Sequence, residues 1–287
     1  MKNQQILKSQ EDASVNFVIP RDQGFFEARY VRRIPEYFIA YLSSHSGCNK
    51  GCQFCHLTAT RQTSMEHASF EDYMKQARKV LNYASKQEKA RAVNYNWMSR
   101  GEPLANKNLL KNSQEILTGL TSLSIENDLI PKFNISTIIP NEMKDLALSE
   151  VFKGITPTIY YSLYSLDKSF RKKWMPAAID PLLALDNLKD YQRQTSKIIK
   201  LHWAFIENVN DSLESLDKII NEIDKRSLNI DFNLVRYNPY STNYGSESSE
   251  DVIKRNANFI QERIKGKVKI ISRVGFDVKA SCGMFVK

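Results

Sequence analysis

Seven short runs rich in β-formers, separated by stretches with helical spacing, constrain this chain more than any other feature. The runs cover residues 38–44, 92–98, 132–138, 158–164, 198–206, 230–237 and 268–274. Between them, residues 70–84 place Tyr73, Ala77, Val80 and Leu81 on one helical face. Residues 106–120, 211–225 and 250–264 have the same texture, and Asp211 and Ser212 suit a helix N-cap. Such alternation predicts a mostly parallel sheet with helices packed outside it, joined by right-handed βαβ crossovers. Six or seven units make a partial or closed barrel; a flat doubly wound sheet is the alternative. The expected fold is α/β, a partial (β/α)6-type TIM-like barrel. Residues 1–26 are polar and aperiodic and are expected to be a tail or cap, leaving 27–287 as the core domain.

Composition narrows the class. The 287 residues are 42% hydrophobic and 25% charged, as in ordinary globular proteins, so disorder is not the default. No apolar run reaches the roughly 18–20 residues of a membrane span. The N-terminus lacks the apolar core of a secretory signal. A cytoplasmic protein is expected, without membrane association. Lys plus Arg is 41 against 32 Asp plus Glu, a net charge of +9. That excess favours a polyanion such as RNA, though a solvated Lys-rich surface gives the same count.

In open α/β sheets and barrels, chemistry gathers at the C-terminal ends of the strands. The cysteines follow that rule. Cys48, Cys52 and Cys55 form C-x3-C-x2-C directly after the first run, and the fourth cysteine, Cys282, is far away near the C-terminus. This is no disulfide framework; clustered thiols in such a chain point to metal or redox chemistry. Three thiolates on one loop can hold three irons of a 4Fe–4S cubane. The fourth iron is then open to chelate the amino and carboxylate groups of S-adenosylmethionine (SAM). Gly47 and Gly51 let the loop wrap closely, and Phe54 can shield a cluster from water. The alternative is zinc, with His45 or His56 as fourth ligand, although zinc knots ordinarily use two separated cysteine pairs.

The triplet is the radical SAM signature, and the wider sequence resembles the RlmN/Cfr family of RNA methyl synthases from about Glu27 to the C-terminus. Ser43-Ser44 and Gly47-Cys48 are similar to the family's entry into its cluster loop. Arg100-Gly101-Glu102-Pro103-Leu104 resembles its Gly-Glu-Pro-Leu, where backbone and glutamate receive the SAM ammonium, a charge-assisted contact. Ser136 and Ser162 match serines near SAM. Asn238-Pro239 matches an Asn-Pro whose asparagine meets the adenosine. Residues 205–212 resemble a strand-to-helix corner with Asn208 in place of glycine. Glu27 resembles a glutamate beside the target adenine. Arg29, Arg32 and Arg33, and the stretch Arg171-Lys172-Lys173-Trp174, are basic groups suited either to phosphate and base stacking or to a plain solvated surface.

At the C-terminus, Arg273, Gly275, Asp277, Ala280, Cys282 and Gly283 fall in register with the family, and Lys279 replaces an acidic residue. The resemblance implies that Cys282 takes a methyl group from one SAM. A second SAM is cleaved to a radical that activates that methyl, which then adds to an adenine in RNA. An electron donor such as flavodoxin or ferredoxin is implied; the oligomeric state is not. One departure stands out. The family's second cysteine, which resolves the adduct, falls at Tyr41 here. An external thiol, a persisting adduct, or a different radical reaction (a nucleotide-modifying isomerase or oxidoreductase) are the outcomes this leaves. Only 26 residues precede Glu27, so the family's N-terminal accessory domain is expected to be missing and a smaller nucleic acid is possible.

Overall fold

The seven expected runs are seven parallel strands. The computed structural model describes residues 4–287. One ten-stranded sheet runs in chain order: β1 (Gln5–Lys8), β2 (Val15–Pro20), β3 (Phe25–Ile34), β4 (Tyr37–Tyr41), β5 (Ala92–Trp97), β6 (Ile130–Thr137), β7 (Thr158–Tyr161), β8 (Ile199–Trp203), β9 (Ile230–Val235) and β10 (Val268–Ile271). The first four pair antiparallel, and β4 to β10 pair parallel.

Helices fill the crossovers: α1 (His56–Ala59), α2 (Phe70–Ala84), α3 (Lys107–Ile125), α4 (Leu148–Val151), α5 (Lys168–Trp174), α6 (Pro181–Thr195), α7 (Leu213–Lys225) and α8 (Glu250–Gln261). Their starts follow from capping chemistry. Ser69 and Asp72 form a reciprocal capping box on α2, and Asn106 accepts from two amides at the start of α3. Of the two cap candidates before α7, Ser212 is the cap; Asp211 instead accepts the Ser248 hydroxyl. Among the described residues, no helix is long and apolar enough to cross a membrane.

The expected boundary after residue 26 falls inside β3. Residues 5–8 and 15–20 are strands of the same sheet, with Val15, Phe17, Val18 and Ile19 buried. Polar, exposed β1 and the turn after it give that stretch its aperiodic texture, and β2, covered on both faces, shows no alternation.

The sheet has two different faces. Val93, Tyr95, Trp97, Ile135, Leu201, Trp203, Phe232 and Leu234 point outward and are buried beneath the helices. The inner face is polar. Asn134 donates to Asn96 across it (2.6 Å), Lys200 pairs with Asp231, and Tyr160 and His202 meet edge to face. A closed barrel packs this space with Val, Ile and Leu; here it stays available for a polar ligand. No strand pairing joins β10 back to β1 among the described residues, so the barrel is partial. The segment after β10 bridges the opening instead: Arg33 donates to the Ser272 carbonyl (3.1 Å), Asn16 to Val278 (3.1 Å) and Arg29 to Met284 (2.7 Å).

Candidate active site

A cavity lies at the C-terminal ends of the parallel strands, and residues from the loops after most of them line it. Cys48, Cys52 and Cys55 all reach it from the loop between β4 and α1. The loop is fixed at three points: Cys48 N–H donates to Gln62, Cys55 N–H to Cys52, and Gln53 N–H to the Trp174 carbonyl. Gly51 has φ +71°, a left-handed conformation that favours glycine. The Phe54 ring stacks on Tyr164 with centroids 4.3 Å apart, so one side of the loop is walled by aromatic surface.

Burial pushes the Cys48 thiol up to about 12 and drives Cys52 well above its ordinary value, with the neighbouring thiols adding to both. Three such thiols do not ionise unaided; a cationic iron cluster held by them would supply the counter-charge that thiolate ligation needs. The zinc alternative fits worse. The His45 imidazole is held between Ser44 Oγ (3.0 Å) and His67 (3.1 Å), and His56 Nε2 lies 3.0 Å from the Asn238 carbonyl. Among the described residues, no three His, Cys, Asp or Glu side chains, the cysteine triplet included, stand close enough together to hold a single metal ion.

Across the cavity, Glu102 sits in the turn after β5. Gly101 before it has φ +91°, and a Cβ there would lie 2.5 Å from His45 Nδ1 and 2.6 Å from Ser44 Oγ, so glycine alone fits. The Glu102 carboxylate accepts from Thr137 Oγ1 (2.6 Å) and from the amides of Leu104 and Ile138 (both 3.1 Å). Burial still pushes its pKa up to about 7. A buried carboxyl held this firmly is short of a positive charge, which a bound ammonium supplies. Ser136 and Ser162 also line the cavity, and neither hydroxyl has a protein partner among the described residues. Cys282 opens into the same cavity. Its thiol is reachable from solvent yet ringed by protein, which pushes it up to about 11.

No family model matches the chain. The dual-specificity RNA methyltransferase RlmN of Aliarcobacter butzleri is 25% identical over 284 residues, covering 96% of this chain and 74% of its own length. The ribosomal RNA large subunit methyltransferase Cfr of Bacillus velezensis is 27% identical over 252 residues, covering 84% and 67%. The crystal structure of a radical SAM methyltransferase from Sphaerobacter thermophilus has the same fold, with a TM-score of 0.81 at 18% identity over 98% of this chain and 79% of that one. The chain is similar to the RlmN/Cfr radical SAM methyltransferases over most of its length. It spans between 64% and 74% of the length of the first relatives it matches.

Against that resemblance, several of the expected site residues are held by contacts within the protein. Glu27 is not an open acid beside a substrate. It is fully buried, and its two oxygens accept from Arg100 Nε (2.7 Å), Val286 N (3.1 Å), Arg29 Nη2 (2.8 Å) and Asn16 Nδ2 (2.8 Å). Burial pushes its pKa up, but Arg29 and Arg100 outweigh it, and the carboxyl stays below its ordinary value. Asn238 reaches the cavity, but Nδ2 donates to the Cys282 carbonyl (2.9 Å) and Oδ1 accepts from Arg273 Nε (2.8 Å). Its amide holds the Cys282 loop onto the end of β9.

Trp174 offers no base platform. It is buried, stacked on Phe170 at 5.8 Å, and Arg171 beside it donates to the Leu163 and Ile179 carbonyls. Only Lys172 and Lys173 of that stretch face outward. Arg32 donates to the Pro35 and Lys89 carbonyls, and Arg29 belongs to the Glu27 network; Arg29 and Arg33 both line the cavity, Arg33 beside Tyr41. In this RlmN/Cfr-like chain Tyr41 does face Cys282: burial raises the phenol's pKa, Arg33 draws it back in part, and the thiol raises it again. Sequence reading gave no role to Arg100 or His202. Arg100 joins Glu27 to the carbonyls of Ser46 and Val286, and His202 lines the cavity from β8. The signal for His202 was available in the alternation of β8, where Ile199, Leu201 and Trp203 face outward and leave it inward.

Proposed function

We propose that this enzyme methylates, or forms a methylene adduct with, an adenine in RNA, using a 4Fe–4S cluster held by Cys48, Cys52 and Cys55. The observation that carries the proposal is the opening of Cys282 into the cavity that the three clustered thiols and Glu102 line. When bound, the cluster supplies the single electron that cleaves SAM and begins radical chemistry. The chain's own residues do the rest. Glu102 receives the SAM ammonium, Gly101 holds it against the cluster loop, and the free hydroxyls of Ser136 and Ser162 take polar groups of the ligand. Phe54 and Tyr164 exclude water from one side. Asn238 acts through the Cys282 loop, setting where the thiol that accepts the methyl group stands. The electron comes from a donor of the flavodoxin or ferredoxin type, in a cytoplasmic setting.

Tyr41 favours a second reading. No free thiol stands beside Cys282 once three cysteines hold a cluster, so this chain also suits a radical SAM reaction on a nucleotide without methyl transfer, an isomerisation or an oxidation. One measurement separates the two. Protein purified without oxygen and incubated with SAM is digested, and the peptide containing Cys282 is weighed. An added methyl group supports the methylating reading. An unmodified Cys282 in protein that still cleaves SAM sinks it and favours the second.

A further inference from the structure

The cavity has a wall that the cofactor reading leaves unused. Strand register identifies it. Asn96 and Asn134 hydrogen-bond on the inner face, Tyr41 pairs with Asn96, Tyr160 pairs with Ser136 and with Lys200, and His202 follows Lys200 by two residues. Tyr41, Tyr160 and His202 therefore all point into the barrel. Tyr41 and His202 line the same cavity as Cys282, and the Tyr160 ring meets the His202 ring edge to face at 5.8 Å.

His202 differs from the other three histidines. His45, His56 and His67 each have a hydrogen-bond partner within the protein. Neither nitrogen of His202 has one among the described residues. Burial pushes its imidazole down to about 4, so it is neutral near pH 7 and offers one donor and one acceptor. A half-buried polar group left without a partner calls for a ligand or water to complete it.

The charges around it say what kind of ligand. On the inner face beside His202, Asp231 is paired with Lys200, so that pair leaves no unpaired charge next to the imidazole. Arg33 stands at the cavity wall beside the Tyr41 phenol and uses one of its nitrogens on the Ser272 carbonyl. A neutral imidazole beside aromatic rings, with a cation at its side, suits a nucleotide that enters base first and leaves its phosphate by the arginine.

The geometry points to His202 as the residue that reads the edge of the substrate base, over the Tyr160 ring and across from Tyr41. This rests on the RNA adenine reading above and adds the residue that selects the ring. A neutral imidazole gives its N–H to a ring nitrogen of adenine or accepts from its amino group.

The test uses reconstituted enzyme with SAM and total cellular RNA, comparing wild type with His202→Leu and His202→Gln. Methyladenosine in RNA digests is measured by mass spectrometry, alongside methylation of Cys282, a step that needs no RNA. His202→Leu should lower methyladenosine formation about tenfold, chiefly through KM for RNA, because one hydrogen bond is removed. It should still load Cys282, and His202→Gln should recover much of the loss. Methyladenosine formed by His202→Leu at the wild-type rate overturns the inference. So does joint loss of Cys282 loading in both variants, which would make His202 a support of the fold. A wild-type enzyme that loads Cys282 but yields no methyladenosine defeats the adenine reading itself, and this inference with it.

Discussion

Glu102 and Asn238 are the two residues at which chemistry and stability meet. Glu102 has a folded pKa of about 7, raised from its ordinary value by burial. A carboxyl raised in this way binds its proton more tightly when folded. The cofactor-free protein therefore loses stability as pH rises from the ordinary carboxylate value through about 7, by about 3 kcal/mol in full. Thermal melts at pH 5 and pH 8 should show Glu102→Gln gaining on the wild type at the higher pH; parallel curves would sink this. SAM, as a cation against the ionised form, should close the gap in the wild type only. At Asn238 the expected effect is positional. Asn238→Ala frees the Cys282 carbonyl, so Cys282 methylation should slow about tenfold while the Kd for SAM changes little, as loss of a hydrogen bond within the protein implies. A Kd that rises in step would instead put Asn238 in direct contact with the adenosine.

At the scale of elements, the segment after β10 takes the place of a closing strand. Val286 gives its N–H to Glu27 and its carbonyl to Arg100 and Gln62, and the Phe285 ring lies under the Arg29 guanidinium at 4.9 Å. Removing Phe285, Val286 and Lys287 uncovers a buried ion triad and deletes an aromatic side chain. The cost should be at least about 3 kcal/mol, read as a lower Tm; an unchanged melt would show that the triad stands without it. The parallel strands are legible in the sequence because each carries an apolar outward face and a turn-rich boundary. The strands before them are not. β1 is an exposed edge and β2 is buried on both faces, so neither shows the alternation from which a strand is read. The site divides in the same way. The cysteine triplet, Gly101-Glu102 and Cys282 are close in sequence to a strand end or a glycine, and the structure brings them to one cavity. The ion network around Glu27 is not legible in the sequence because its partners Arg100 and Val286 are distant along the chain. Trp174 beside three basic residues looks like a stacking platform until Phe170 is seen beneath it.

The whole molecule joins an open, polar barrel to a surface of net charge +9. The two properties answer different questions. In the proposed reading the barrel selects what is modified, through the hydrogen-bonding groups that face its cavity. The charge governs how a polyanion arrives, and it acts through cations free to meet phosphate. Many of the basic side chains are already committed: Arg29 and Arg100 to Glu27, Arg171 to carbonyls, Arg226, Arg236 and Arg273 to carboxylates. Lys172 and Lys173 on α5 are exposed, and Pro176, just beyond the helix, is the neighbour of Gly51 in the cluster loop. This puts two exposed lysines on the helix that packs beside the cluster loop. Binding of a fluorescein-labelled single-stranded RNA should weaken steeply with salt, and Lys172→Glu with Lys173→Glu should lower the log–log slope by about 0.7 for each phosphate no longer neutralised. Cys282 methylation should be untouched, since SAM reaches the cavity without them. A slope identical to the wild type would place the RNA path on another face, with α5 serving only to seat Trp174 behind the cluster loop.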